Sequence, residues 1–253
     1  MEMTQLVRKL GRNDLKLIGR DSFLMMMFIF VIIIAIACRF ALPALNDYFI
    51  ANEILPNAAV NQSLADFYPL IIAFMVIFNG ATITGAIFGF SLLDEKDDNT
   101  IKAMLVTPVP MSHYLMYRVA VPTILAGFIV VLEVLFVNQA LIPLWQLILI
   151  SAGAALASPI AVLFYGISAE NKVQGFAYAK FVSIAGWIIL GGWFVPEPMQ
   201  WLFGLFPPFW ISKAYWMAYD GATFWWVALL VGIIYQLVVL KWLMGWFTKV
   251  AHR

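Results

Sequence analysis

Charge is what this chain has least of. Asp, Glu, Lys and Arg make up 11% of its 253 residues, against 64% hydrophobic residues. That balance excludes a soluble globular domain. A formal net charge of +1 provides no field for nucleic acid, so no nucleic-acid partner is expected. The single cysteine, Cys38, excludes an intrachain disulfide, and His113 and His252 lie too far apart in sequence to suggest a metal site. The sequence also lacks a G-x-x-x-x-G-K-[ST] phosphate loop, an H-E-x-x-H helix and a nucleophile elbow. The chain is therefore not expected to be an enzyme, to hydrolyse ATP or to hold a cofactor of its own.

Long apolar runs fill the sequence instead. A membrane-spanning helix needs about 20 mostly apolar residues. Six runs qualify, at 22–42, 67–92, 115–137, 143–167, 179–196 and 223–245. An even number places both termini on one side. Of the 15 Lys and Arg residues, only Arg39 and Lys213 fall on the side opposite the termini. Lysine and arginine concentrate on the cytoplasmic side of membrane proteins. The expectation is a multi-pass protein of the plasma (inner) membrane of a prokaryote, with both termini and the 94–114 loop in the cytoplasm.

Three segments fall outside the six spans. Residues 1–21 read as an interfacial helix: Met3, Leu6, Val7, Leu10, Leu17 and Ile18 share one face, while Arg8, Lys9, Arg12, Lys16 and Arg20 occupy the other. Between the last two spans the chain is apolar and aromatic yet broken by Pro196, Pro198, Gly204, Pro207 and Pro208. So many breaks exclude a continuous span and predict short helices re-entering the outer leaflet under the cover of protein. The charged stretch from Asp94 to Arg118 is the third. Asp97 and Asp98 favour a helix start there, Ile101, Met104 and Leu105 share a face, and Pro108 ends the helix.

Polar groups inside the spans are few. Glu133 lies well within the third span, where an ionised carboxylate is costly. A cationic substrate, a proton relay, a pairing with Arg39 and a structural hydrogen bond all fit it. Asn79, with Thr82 and Thr84, serves either a polar path or helix joining. The Ala81, Gly85 and Gly89 stripe of the second span permits close helix approach, within the chain or between chains.

Leu93-Asp94-Glu95-Lys96, Thr100, Leu105, Thr107-Pro108-Val109 and Tyr114-Leu115 resemble the segment after the second span of ABC-2 type permeases. Their pattern runs roughly E-K-x-x-x-T-x-x-x-L-x-x-T-P, followed by Y-L. Phe206-Pro207-Pro208-Phe209-Trp210 is similar to the proline stretch before their last span. The order of the elements agrees over the whole length.

The resemblance implies that the cytoplasmic helix is a coupling helix that docks on a separate ABC ATPase subunit. Glu95, Thr107 and Pro108 would lie at or near that contact, with Thr100 and Leu105 shaping the helix. ATP and Mg would sit on two copies of the ATPase, and a second permease chain would complete a homodimer or heterodimer. The second and fifth spans line the cavity in such permeases, which makes Phe74, Phe78, Thr82, Trp187 and Trp193 candidate substrate contacts.

The expected fold is an all-α membrane protein: one transmembrane domain over 1–253, with six spans, an interfacial helix, a coupling helix and a re-entrant segment. The expected function is the permease subunit of an ATP-driven exporter of a lipophilic drug or lipid-like molecule. Two alternatives stand beside it: a proton-coupled secondary transporter using Glu133, and a membrane scaffold without transport.

Overall fold

The structure, a computed structural model, describes residues 3–52, 63–98, 100 and 110–251. Among these residues it is all-α, and six helices are long and apolar enough to cross a membrane. The expected coupling helix falls largely outside the described residues, as do Leu105, Thr107 and Pro108.

The interfacial helix, Met3–Arg20, exposes Arg8, Arg12, Lys16 and Arg20. It turns into the first span, Ser22–Ala51, at a single residue, Asp21. The Asp21 carboxylate accepts from the backbone N–H groups of Phe23 (2.8 Å) and Leu24 (3.1 Å), two donors that the helix start leaves without partners. The first span runs nine residues beyond the apolar run that ends at 42, passing through Pro43. Arg39 does not end it, because its guanidinium donates to the Phe136 carbonyl and lies against the Phe40 and Phe136 rings.

The second span, Leu64–Asp97, is the most enclosed of the six. Its Ile72–Phe78 stretch is π-helical, a widened turn that frees backbone carbonyls. Asn79 Nδ2 donates to the Phe74 carbonyl at 3.0 Å, and Thr82 Oγ1 to that of Phe78 at 2.8 Å.

Its small-residue stripe packs within the chain. A Cβ at Gly85 would overlap the Ser158 carbonyl oxygen and approach the Ser158 Cα to 2.8 Å, and one at Gly89 would meet the Tyr165 ring at 2.6 Å. The second and fourth spans therefore touch backbone to backbone.

The third span, Met111–Val137, ends where Asn138 takes a left-handed conformation, φ 57°. The fourth covers Leu144–Ser168, with a break at Leu156. The fifth is Lys172–Trp193 and the sixth Trp225–Val250.

Between these last two lie a 3₁₀ turn, Met199–Leu205, and a helix, Pro207–Tyr219. Thirteen residues reach about 20 Å, too short to cross the hydrocarbon core. Phe209, Ile211, Tyr215 and Trp216 are buried, and Tyr215 donates to the Ala140 carbonyl at 2.6 Å. One face of the helix is thus covered by protein, whereas the turn before it exposes Met199, Leu202 and Leu205 and departs from the expected cover.

Candidate functional site: a polar clasp and an aromatic groove

Three consecutive charged residues at the end of the second span each grip a different element. Asp94 Oδ1 lies 2.8 Å from Lys172 Nζ at the start of the fifth span. Glu95 Oε1 lies 2.5 Å from Arg118 Nη2 on the third. Lys96 Nζ donates to the carbonyls of Gly166 (2.8 Å) and Ala169 (2.6 Å), which the end of the fourth span leaves free.

The interfacial helix joins the same cluster. Asp14 Oδ2 lies 3.3 Å from Arg118 Nη1 and accepts from the Tyr117 hydroxyl at 2.6 Å. Its Oδ1 accepts from Ser91 at 3.4 Å. Tyr114 donates to Glu95 Oε2 at 2.5 Å and accepts from Arg118 Nε at 3.2 Å.

Arg118 is 0% exposed and Glu95 4%. A single guanidinium thus sits between two carboxylates, and tyrosine and serine hydroxyls supply further donors. Its fork geometry suits this, because separate nitrogens lie against separate carboxylates.

Asp21 extends the clasp outward: its Oδ2 accepts from Lys172 Nζ at 2.5 Å. Burial alone would raise its pKa. The bond from Lys172 and the two backbone amides outweigh that and hold it below the ordinary carboxylate value. A lowered folded-state pKa adds stability above the unfolded value, and that stability fades as the pH falls through the folded one. Asp21→Asn keeps the cap and removes the charge. Wild type is expected to melt higher than this variant at neutral pH, with the gap closing as the pH falls below 3.8. Melting curves in detergent across pH check it.

Glu95, expected at or near a partner contact, turns its side chain into the protein. Thr100, next in the chain among the described residues after Asp98, is exposed.

A groove of about 420 Å³ opens between the second, fourth, fifth and sixth spans and the start of the Pro207–Tyr219 helix. Phe78, Phe164, Phe181, Tyr235 and Trp242 are among its walls, with Thr82 and Gln236 as polar points. Gln236 Nε2 is committed to the Gly153 carbonyl at 3.0 Å.

Of the five candidate substrate contacts, Phe78 and Thr82 line this groove. Phe74 lies beside them, its ring 6.3 Å from both Phe78 and Trp187. Trp187 itself faces outward. Trp193 is elsewhere, edge-on to the buried Trp216 at 4.9 Å.

Glu133 and Asn79 make no mutual hydrogen bond among the described residues. Glu133 packs over Gly80, where a Cβ would overlap its Oε2, and that oxygen has no partner there. The pairing with Arg39 is not made, since Arg39 is committed to the Phe136 carbonyl.

Asp14, Tyr114, Tyr117 and Arg118 are the site residues that sequence reasoning overlooked. Arg118 carries the readable signal: an arginine two turns into an apolar helix requires buried counter-charges. Tyr114 and Arg118, four residues apart, share a helix face.

Comparison with known proteins places the chain in a family. Residues 14–244 match the model of a family described as "Fluoroquinolones export permease protein Rv2686c-like". Two relatives, the Fluoroquinolones export permease proteins Rv2686c and MT2760 from two strains of Mycobacterium tuberculosis, are each 31% identical over 233 residues. The match covers 90% of this chain and 88% of theirs. With six apolar helices and near full-length coverage, the chain belongs to the Rv2686c-like export permease family, multi-pass membrane permeases of the ABC-2 type.

Proposed function

We propose that this chain is the membrane half of an ATP-driven exporter for flat, aromatic, lipophilic drugs, with fluoroquinolones as the first class to test. The aromatic groove carries this reading: its walls suit a planar ring system, and Thr82 and Gln236 suit a cargo with few polar groups. The relatives, named as fluoroquinolone export permeases, support the cargo class.

Energy enters from outside the chain, which carries no phosphate loop. In this reading ABC ATPase subunits, with their ATP and Mg, dock on the cytoplasmic segment holding Thr100, Leu105, Thr107 and Pro108. Glu95 acts one step behind that contact. Because Asp94, Glu95 and Lys96 are fastened to the third, fourth and fifth spans, a push on the segment reaches several helices together. ATP shifts the permease between inward- and outward-facing states only by binding the two differently. Two permease chains, identical or related, and two ATPase subunits make the working unit. It lies in the inner membrane with both termini cytoplasmic, as the lysine and arginine placement indicates.

The test is uptake of a fluoroquinolone by inside-out vesicles holding the chain and its ATPase. Uptake should require ATP. Phe181→Ala and Trp242→Ala should each weaken apparent cargo affinity about three- to tenfold, given the typical worth of an aromatic contact. ATP-independent uptake, driven by a proton gradient and lost in Glu133→Gln, would overturn the reading in favour of a proton-coupled transporter. The partnerless Oε2 of Glu133 is what keeps that second reading in view.

A further inference from the structure

The sixth span holds a second recess, of about 600 Å³, that shares Trp242 with the groove. Val238, Lys241, Trp242, Gly245, Trp246 and Lys249 bound it, all on one helix. Gly245 is its floor: a Cβ there would meet nothing within 4 Å, so the missing side chain leaves a notch rather than a packing contact. Lys241 and Lys249 stand four residues before and after it on the same face. Two such positions lie about 12 Å apart along the axis, within reach of two lysine side chains folding toward one another.

No carboxylate bounds the recess, and neither lysine makes an ion pair among the described residues. The Trp242 and Trp246 rings, 5.2 Å apart, are both exposed. Ile234 and Leu237, just before the recess, and Val238 at its edge are exposed as well, a face suited to acyl chains. Two unneutralised ammonium groups over a notch, tryptophans at its side and an apolar strip leading away match one occupant. It has an anionic head and hydrocarbon tails.

We propose that this recess binds an anionic phospholipid of the cytoplasmic leaflet, its phosphate held between Lys241 and Lys249 and its chains against Val238 and the tryptophans. Lysines at a membrane surface attract anionic headgroups, and tryptophans settle at the same depth. Because Trp242 belongs to both cavities, the lipid lies beside the cargo groove.

The test needs neither cargo nor ATPase, so it stands apart from the transport reading. The full chain is purified in detergent and offered phosphatidylglycerol or phosphatidylcholine, and retained lipid is counted by native mass spectrometry. Wild type should retain phosphatidylglycerol in preference. Lys241→Gln/Lys249→Gln should lower that retention roughly tenfold, and Lys241→Arg/Lys249→Arg should keep it. Gly245→Leu should also lower it, since it puts side chain into the notch without changing charge, at a position where an added Cβ meets nothing within 4 Å. Equal retention of both lipids by wild type, or full retention by Gly245→Leu, overturns the proposal. So does displacement of the lipid by millimolar inorganic phosphate, which would show a site for free phosphate alone.

Discussion

Arg118→Met is expected to remove about 3–5 kcal/mol of stability, the usual consequence of taking one partner from a buried ion pair. The loss comes less from the arginine's own contacts than from what it leaves behind. Asp14 and Glu95 would face each other's charge inside the protein with only tyrosine and serine hydroxyls for company. An uncompensated buried carboxylate is far costlier than a missing hydrogen bond. The companion result identifies the cause. The triple variant Asp14→Asn, Glu95→Gln, Arg118→Met carries no charge in the clasp and should recover most of the lost stability. Thermal unfolding of the detergent-purified proteins reads both. An Arg118→Met protein melting with wild type would mean that the clasp contributes nothing, and a triple variant no better than the single one would mean that shape, not charge, is at stake.

Gly85→Leu should do comparable damage by a different route. The added side chain would collide with the Ser158 carbonyl oxygen, the Ser158 Cα at 2.8 Å and the Ala161 Cβ at 2.9 Å. Two of these are backbone atoms, which cannot swing aside as a long side chain can. The second and fourth spans would have to part along their most intimate contact. The expected loss is about 3 kcal/mol or more, at the upper end for overpacking. Gly19→Ala, in the interfacial helix, is the matched control. Its Cβ would meet nothing within 4 Å, so helix propensity should leave it neutral or slightly stabilising. The yield of monodisperse protein and the melting temperature separate the two variants, and an unperturbed Gly85→Leu would disprove the close contact.

The features that were legible in the sequence are those that local chemistry determines. Apolar run length marked the six spans, helical spacing marked the interfacial helix, and five prolines and glycines marked the re-entrant segment. Phe78 and Thr82 reached the groove because family resemblance pointed to the second span. Pairing was not legible. Asp14 and Arg118 are 104 residues apart, and periodicity tells which face a residue occupies without telling what lies opposite. Glu95 shows the difficulty most clearly. Its motif marks it as a contact residue, yet a motif cannot say whether a carboxylate turns toward a partner or toward an arginine of its own chain. The π-helical turn at Ile72–Phe78 is likewise invisible to a pattern count, because seven apolar residues in a row fit any helical pitch.

The clasp also constrains how the protein is made. Asp14 leaves the ribosome long before its partners Tyr117 and Arg118, which follow 103 and 104 residues later. At ordinary synthesis rates of 5–20 residues per second, that gap is about 5–20 seconds. Lys172, the partner of Asp21, comes 151 residues after it. Through that interval the first helix and Asp21 lack their Tyr117, Arg118 and Lys172 partners, so they are fully fastened only after the third and fifth spans have begun to emerge. Nascent chains stalled with only residues up to about 110 outside the ribosome should therefore leave residue 14 open to water-soluble labelling reagents, and chains extended past the third span should close it.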